Sequence, residues 1–146
     1  MMDQSKIENF EKANPERRFP AFEALSHERC REVRRRVCEH LELDETVSGL
    51  EIVNGLHWQT GRRLGEVPEG SFSLRDLVTG AGLAPASEVL INWYRFDDID
   101  KIDIDRLSKY FDDIWYPSAD DIEIFDESCK WFLSVSHDGQ LTLIEV

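Results

Sequence analysis

The groups able to do chemistry in this chain are mostly carboxylates, crowded into "FDDIDKIDIDRL", "FDDIW" and "SADDIEIFDE". The window 97–127 holds 12 Asp+Glu against three Lys+Arg, a net charge of −9. A calcium loop needs acids at its first, third and fifth positions, glycine at the sixth and glutamate at the twelfth. A frame from Asp98 meets Ile102 at its fifth position, and one from Asp103 meets Leu107, so neither frame holds calcium. Glycoside hydrolysis needs two carboxylates kept in different protonation states. Nothing singles out such a pair here. The use that remains is a binding rim for a basic protein partner. Its expected residues are Asp97, Asp98, Asp112, Asp113, Asp120, Asp121 and Glu123, with Tyr116 as the aromatic beside them. Tyrosine next to acids is a composition that protein-binding hot spots use.

Histidine and cysteine offer less. His27, His40, His57 and His137 are scattered, and the His–Cys spacing weighed as a metal pair is Cys38-x-His40. Two residues apart on a helix, those side chains point about 200° apart, which excludes a shared zinc ion. No G-x-S-x-G, G-x-G-x-x-G or P-loop pattern occurs, so no catalytic residue, cofactor or metal is expected. The one enzymatic alternative is a small hydrolase using His137 with Asp138 or Asp120. A third reading is an acidic mimic of nucleic acid, which requires carboxylates in regular rows on one face.

The chain carries a net charge of −13 over 146 residues. A surface of that sign repels nucleic-acid phosphates and anionic lipid, and speeds encounter with a basic partner. No apolar run reaches the length of a membrane span, and the N-terminus lacks the apolar core of a signal peptide. The expected compartment is therefore the cytoplasm. Three cysteines in such a context are expected to be buried, unpaired thiols. The oligomeric state is not encoded in any pattern.

The positioning elements follow from periodicity. A short helix over 3–13 is anchored by Ile7 and Phe10, and 1–20 is expected to be a loosely packed arm. "SHERCREVRRRVCEHLEL" is the clearest helix, with Ser26 as N-cap and an apolar stripe of Cys30, Val33, Val37, Cys38 and Leu41. Glu28, Glu32 and Glu39 interleave with its arginines at pairing distances, predicting a salt-bridged face. Asn54-Gly55 predicts a hairpin with strands over 49–53 and 56–60. "GRRLGEVPEG" reads as a loop. A short helix runs from Ser73 to Gly80, a strand over 88–96, and a further helix follows from Asp103 or Asp105. Strands over 120–125, 130–136 and 140–145, the last pair joined at Asp138-Gly139, predict an antiparallel meander. Helices mixed with antiparallel strands define one α+β domain over 1–146, with helices expected on one face of the sheet.

"YFDDIWYPSADDIEIFDESCKWFLSVSHDG", from Tyr110 to Gly139, combines an acidic turn, a "DDIEIF" strand and a Trp-bearing strand ending in His-x-Gly. This stretch resembles small acidic bacterial proteins of unassigned function, some of which are immunity proteins that neutralise toxins from neighbouring cells. The resemblance implies a non-enzymatic inhibitor whose acidic face blocks a basic toxin. It carries over no catalytic residue.

Overall fold

The computed structural model describes residues 1–70 and 72–146. In chain order the elements are α1 (Gln4–Ala13), β1 (Glu23–Ala24), α2 (His27–Leu41), α3 (Gly49–His57) and β2 (Gly61–Glu66). They continue with α4 (Leu74–Gly80), β3 (Glu88–Tyr94), β4 (Asp98–Asp103), α5 (Ile104–Lys109), α6 (Phe111–Ile114), β5 (Ile122–Phe125), β6 (Trp131–Val135) and β7 (Gln140–Glu145). The strands form one seven-stranded sheet in the order β1-β4-β3-β5-β6-β7-β2, antiparallel at every pairing. The fold is α+β, as the mixture of periods implies. Among the described residues no helix is long and apolar enough to cross a membrane.

Successive strand residues point to opposite faces, and here both faces are covered. Val89 and Ile91 of β3 join Ile122, Ile124, Leu133 and Val135 under α4, α5 and α6. Leu90, Phe125, Phe132 and Ile144 form a cross-strand row on the other face, under α2 and α3. Helices therefore pack on two faces rather than the expected one. The reason is legible in β5 and β6, where Ile122 to Phe125 are all buried and Phe132 sits between Trp131 and Leu133. Strands buried on both faces leave little for water, and in β5 Glu123 is the one polar residue among them.

Two further expectations give way. Residues 49–57 are helical, not a hairpin. Ser48 caps the helix by accepting from the Glu51 amide at 3.2 Å, and Ile52 and Leu56, one helical turn apart, are both fully buried. A capped helix with an i,i+4 apolar pair outweighs the turn preference of Asn54-Gly55. The segment expected as a loop carries β2, which pairs with β7 at the sheet edge. A register shift between Arg63 and Gly65 breaks the alternation that marks a strand. The strand β4 occupies acidic sequence given no strand in advance.

The N-terminal segment 1–20, expected as a loose arm, holds four buried residues: Met2, Lys6, Phe10 and Pro20. The stripe on α2 is buried at Cys30, Val33, Val37 and Cys38. Cys129 is buried too, and all three thiols are free.

Candidate functional site

The site lies at the end of the sheet where β5 begins and β6 turns into β7. Asp121 enters β5, and His137 sits in the β6–β7 turn that Gly139 permits with φ +83°. The Asp121 carboxylate accepts from the His137 amide at 2.7 Å and lies 3.0 Å from its Nδ1. Both side chains are well exposed. The pair stands between two grooves.

The first groove, of about 690 Å³, runs between the loop after β2, the end of α6 and the β6–β7 turn. Glu66, Glu69, Asp112 and Asp138 line it with Trp115 and Pro117, and no Lys or Arg does so among the described residues. Trp115 is held by its indole N–H, which donates to the Asp120 carbonyl at 3.0 Å. Asp138 accepts from the Ser136 hydroxyl, and that bond holds its carboxyl below the ordinary range. Asp113, next to Asp112, is shifted the other way, first by burial and then by its neighbour's charge.

The second groove, of about 350 Å³, lies beside α3. Its floor is a polar row across the sheet: Asn92, Glu123 and Ser134 are cross-strand neighbours, one step along from the row Leu90, Phe125 and Phe132 that α2 and α3 cover. Glu123 is buried, with only 6% of its surface exposed. Its Oε2 accepts from Asn92 Nδ2 at 2.7 Å, and its Oε1 lies 3.3 Å from His57 Nε2. The bond to Glu123 pulls the His57 pKa up against the desolvation that opposes it. Asn92 also accepts from the Phe96 amide at 2.8 Å, which fixes the β3–β4 turn, where Arg95 and Phe96 both take positive φ. Leu50 and Tyr94, two of the few exposed large apolar side chains, line the same groove.

The residues expected to form one acidic face are divided by the fold. Asp97 pairs with Arg34 of α2 at 2.6 Å, and Asp98 meets the Met1 amino group. Asp120 is taken by the buried Lys6, whose ammonium also lies 4.8 Å from the centre of the Tyr116 ring. Tyr116 accepts from Asn9 at 3.4 Å and is half-covered by α1. Glu123 points into the second groove. Asp112 lines the first, and Asp121 stands between the two. The arginines of α2 reach beyond their own helix: besides Arg34, Arg29 meets Glu127 at 2.9 Å, and Arg36 donates to the Glu127 carbonyl at 2.9 Å.

His137 meets Asp121, not Asp138 or Asp120, and no serine or cysteine bonds to either ring nitrogen of His137 or His57 among the described residues. No group of three His, Cys, Asp or Glu side chains suits a metal ion there either. The sequence reading missed Glu66, Glu69, His57 and Asn92. A signal existed for the last: Asn92 interrupts the apolar run "VLINWY", as Glu123 does in "DIEIF". A polar residue inside a strand with both faces covered marks a place where cover stops.

The fold and grooves define a small α+β protein with an acidic end and, among the described residues, no group of three His, Cys, Asp or Glu placed to hold a metal ion. The chain matches no family model, no curated protein and no solved structure.

Proposed function

We propose that this chain is a non-enzymatic protein-binding module, an immunity-like inhibitor that takes a basic protein partner at the acidic end of its sheet. The observation that carries the reading is the first groove: Glu66, Glu69, Asp112 and Asp138 converge on it with no Lys or Arg among the described residues lining it. Of the acids expected to share one face, Asp97 is neutralised by Arg34 and Asp120 by Lys6. The uncompensated charge is what a cationic partner would meet first, and Val67, Pro68 and Pro117 give it an apolar surface to settle on.

The test is binding of a fluorescent peptide of alternating Arg and Gly, with its Glu counterpart as control. At about 20 mM salt the Arg peptide binds, and at about 300 mM it is largely released, because the Debye length shrinks with ionic strength. The double reversal Glu69→Lys with Asp112→Lys weakens that binding roughly tenfold or more. Equal binding of both peptides, or indifference to salt and to the reversal, overturns the reading.

A further inference from the structure

Building on that reading, we infer that the groove beside α3 is the socket for one arginine side chain of the partner, received by the Glu123 carboxylate in exchange for His57.

A carboxylate 94% withdrawn from solvent needs compensation, and Glu123 has it only in part. Asn92 supplies a full bond to Oε2 at 2.7 Å. Oε1 has only His57, at 3.3 Å, from a ring almost half exposed at the C-terminal end of α3. The histidine thus occupies a place that a better donor would fill. A guanidinium carries a planar fork matched to carboxylate geometry, whereas imidazole offers a single N–H on that side.

The walls suit the same group. The exposed Tyr94 ring already carries a guanidinium, that of Arg95, 4.9 Å from its centre. Leu50 and Val53 of α3 offer apolar cover for a three-carbon stem. Ser134, the cross-strand neighbour of Glu123, adds a hydroxyl oxygen to the same wall. The molecule uses the same combination on itself: the Lys6 ammonium is held by Asp120, the Ile114 carbonyl and the face of Trp93.

The charged groups around Glu123 are His57 from α3, Arg95 from the β3–β4 turn and Asp121 from just before β5, the last paired with His137. Of these, His57 is the one in contact with the carboxylate. Protonated His57 competes with the incoming arginine, so occupancy of the socket rises as that proton is lost.

The experiment is an NMR titration of the full chain with N-acetyl-arginine methylamide, and with the uncharged citrulline analogue of the same shape. The arginine compound shifts the Asn92 side-chain amide and the Ser134 backbone amide, and the citrulline compound does not. Glu123→Gln weakens binding roughly tenfold, the loss of a charge-assisted hydrogen bond. Tyr94→Ala, at an exposed position that leaves the core intact, weakens it roughly threefold. Binding is tighter at about pH 8 than at about pH 5.5, and His57→Ala removes that difference. An equal response to citrulline, or unchanged affinity in both Glu123→Gln and Tyr94→Ala, overturns the socket. The reversal Glu69→Lys with Asp112→Lys leaves this titration unaltered. Failure of basic-peptide binding with an intact arginine titration therefore counts against the protein-binding reading alone.

Discussion

The ammonium of Lys6, on the first helix, bonds to the carboxylate of Asp120, a residue 114 positions further along the chain. The same nitrogen donates to the Ile114 carbonyl at 2.6 Å and lies 4.4 Å from the centre of the Trp93 ring. Lys6 is only 4% exposed, and the Asp120 carboxylate also accepts from the Tyr116 amide at 2.8 Å. One side chain thereby ties the N-terminal segment to the loop between α6 and β5, which also shapes the first groove.

Lys6→Met is expected to lower stability by about 3 kcal/mol, because it leaves the Asp120 carboxylate part-buried without its cation. Asp120→Asn costs a similar amount, and the double variant costs less than the sum of the two. Urea unfolding of the four proteins measures this. Additive losses would show that the two residues act independently and that packing alone holds α1.

Gly49 opens α3, and a Cβ there would lie 2.3 Å from the Arg95 carbonyl oxygen. Backbone on both sides leaves little to yield. Gly49→Ala therefore destabilises the protein by about 2 kcal/mol, although alanine is the better helix former. It also moves the β3–β4 turn that Asn92 clamps, so the amide resonances of Arg95 and Phe96 shift. An unchanged urea midpoint would mean that the helix and turn do not press together.

The contest over residues 49–57 shows where sequence patterns stop. Asn54-Gly55 is a strong two-residue turn signal, but the capping pair Ser48 and Glu51 and the apolar pair Ile52 and Leu56 are also in the sequence. Both patterns are local. The cap and the buried pair win, and the helix then packs where Gly49 lies against Arg95, in a turn more than 40 residues away. The meander was legible because β5, β6 and β7 pair in sequence order across short turns. Strand β4 was not, because its Asp residues look like loop, and Asp100 is buried where β4 lies between β3 and β1. The acidic face was misjudged for a related reason. Counting charge in a window cannot reveal that Arg34 and Lys6, both far from it in sequence, neutralise Asp97 and Asp120.

The three thiols should be silent in the folded protein. Cys129 has no exposed surface, and burial pushes its pKa up to about 12. Burial also raises the pKa values of Cys30 and Cys38. Since the thiolate is the reactive form, labelling with an aromatic disulfide at neutral pH proceeds only through unfolding, with one rate for all three. A fast phase of even one equivalent would contradict the burial.

Asp100 sets a pH dependence of unusual sign for an acid. It is fully buried on β4; Trp93 Nε1 donates to its Oδ2 at 2.9 Å, while its Oδ1 makes no hydrogen bond among the described residues. Burial raises its pKa above the ordinary 3.8, against the pull of the Met1 amino group, the Trp93 indole and the Met2 amide. The folded state thus holds this proton more tightly than the unfolded chain does. Below the ordinary value both states are protonated and the site costs nothing. As pH rises past it the unfolded chain ionises first, so the fold loses stability until Asp100 itself ionises, after which the loss is constant. Asp100→Asn cannot ionise and lacks this loss. The stability difference between the two proteins, measured by urea unfolding from about pH 3.5 to about pH 8, therefore moves in favour of the variant as pH rises and levels off once Asp100 has ionised in the fold, whatever its offset at low pH. A difference that stays flat, or moves the other way, would mean that Asp100 is ionised in the fold and that an ion pair with the Met1 amino group outweighs its burial.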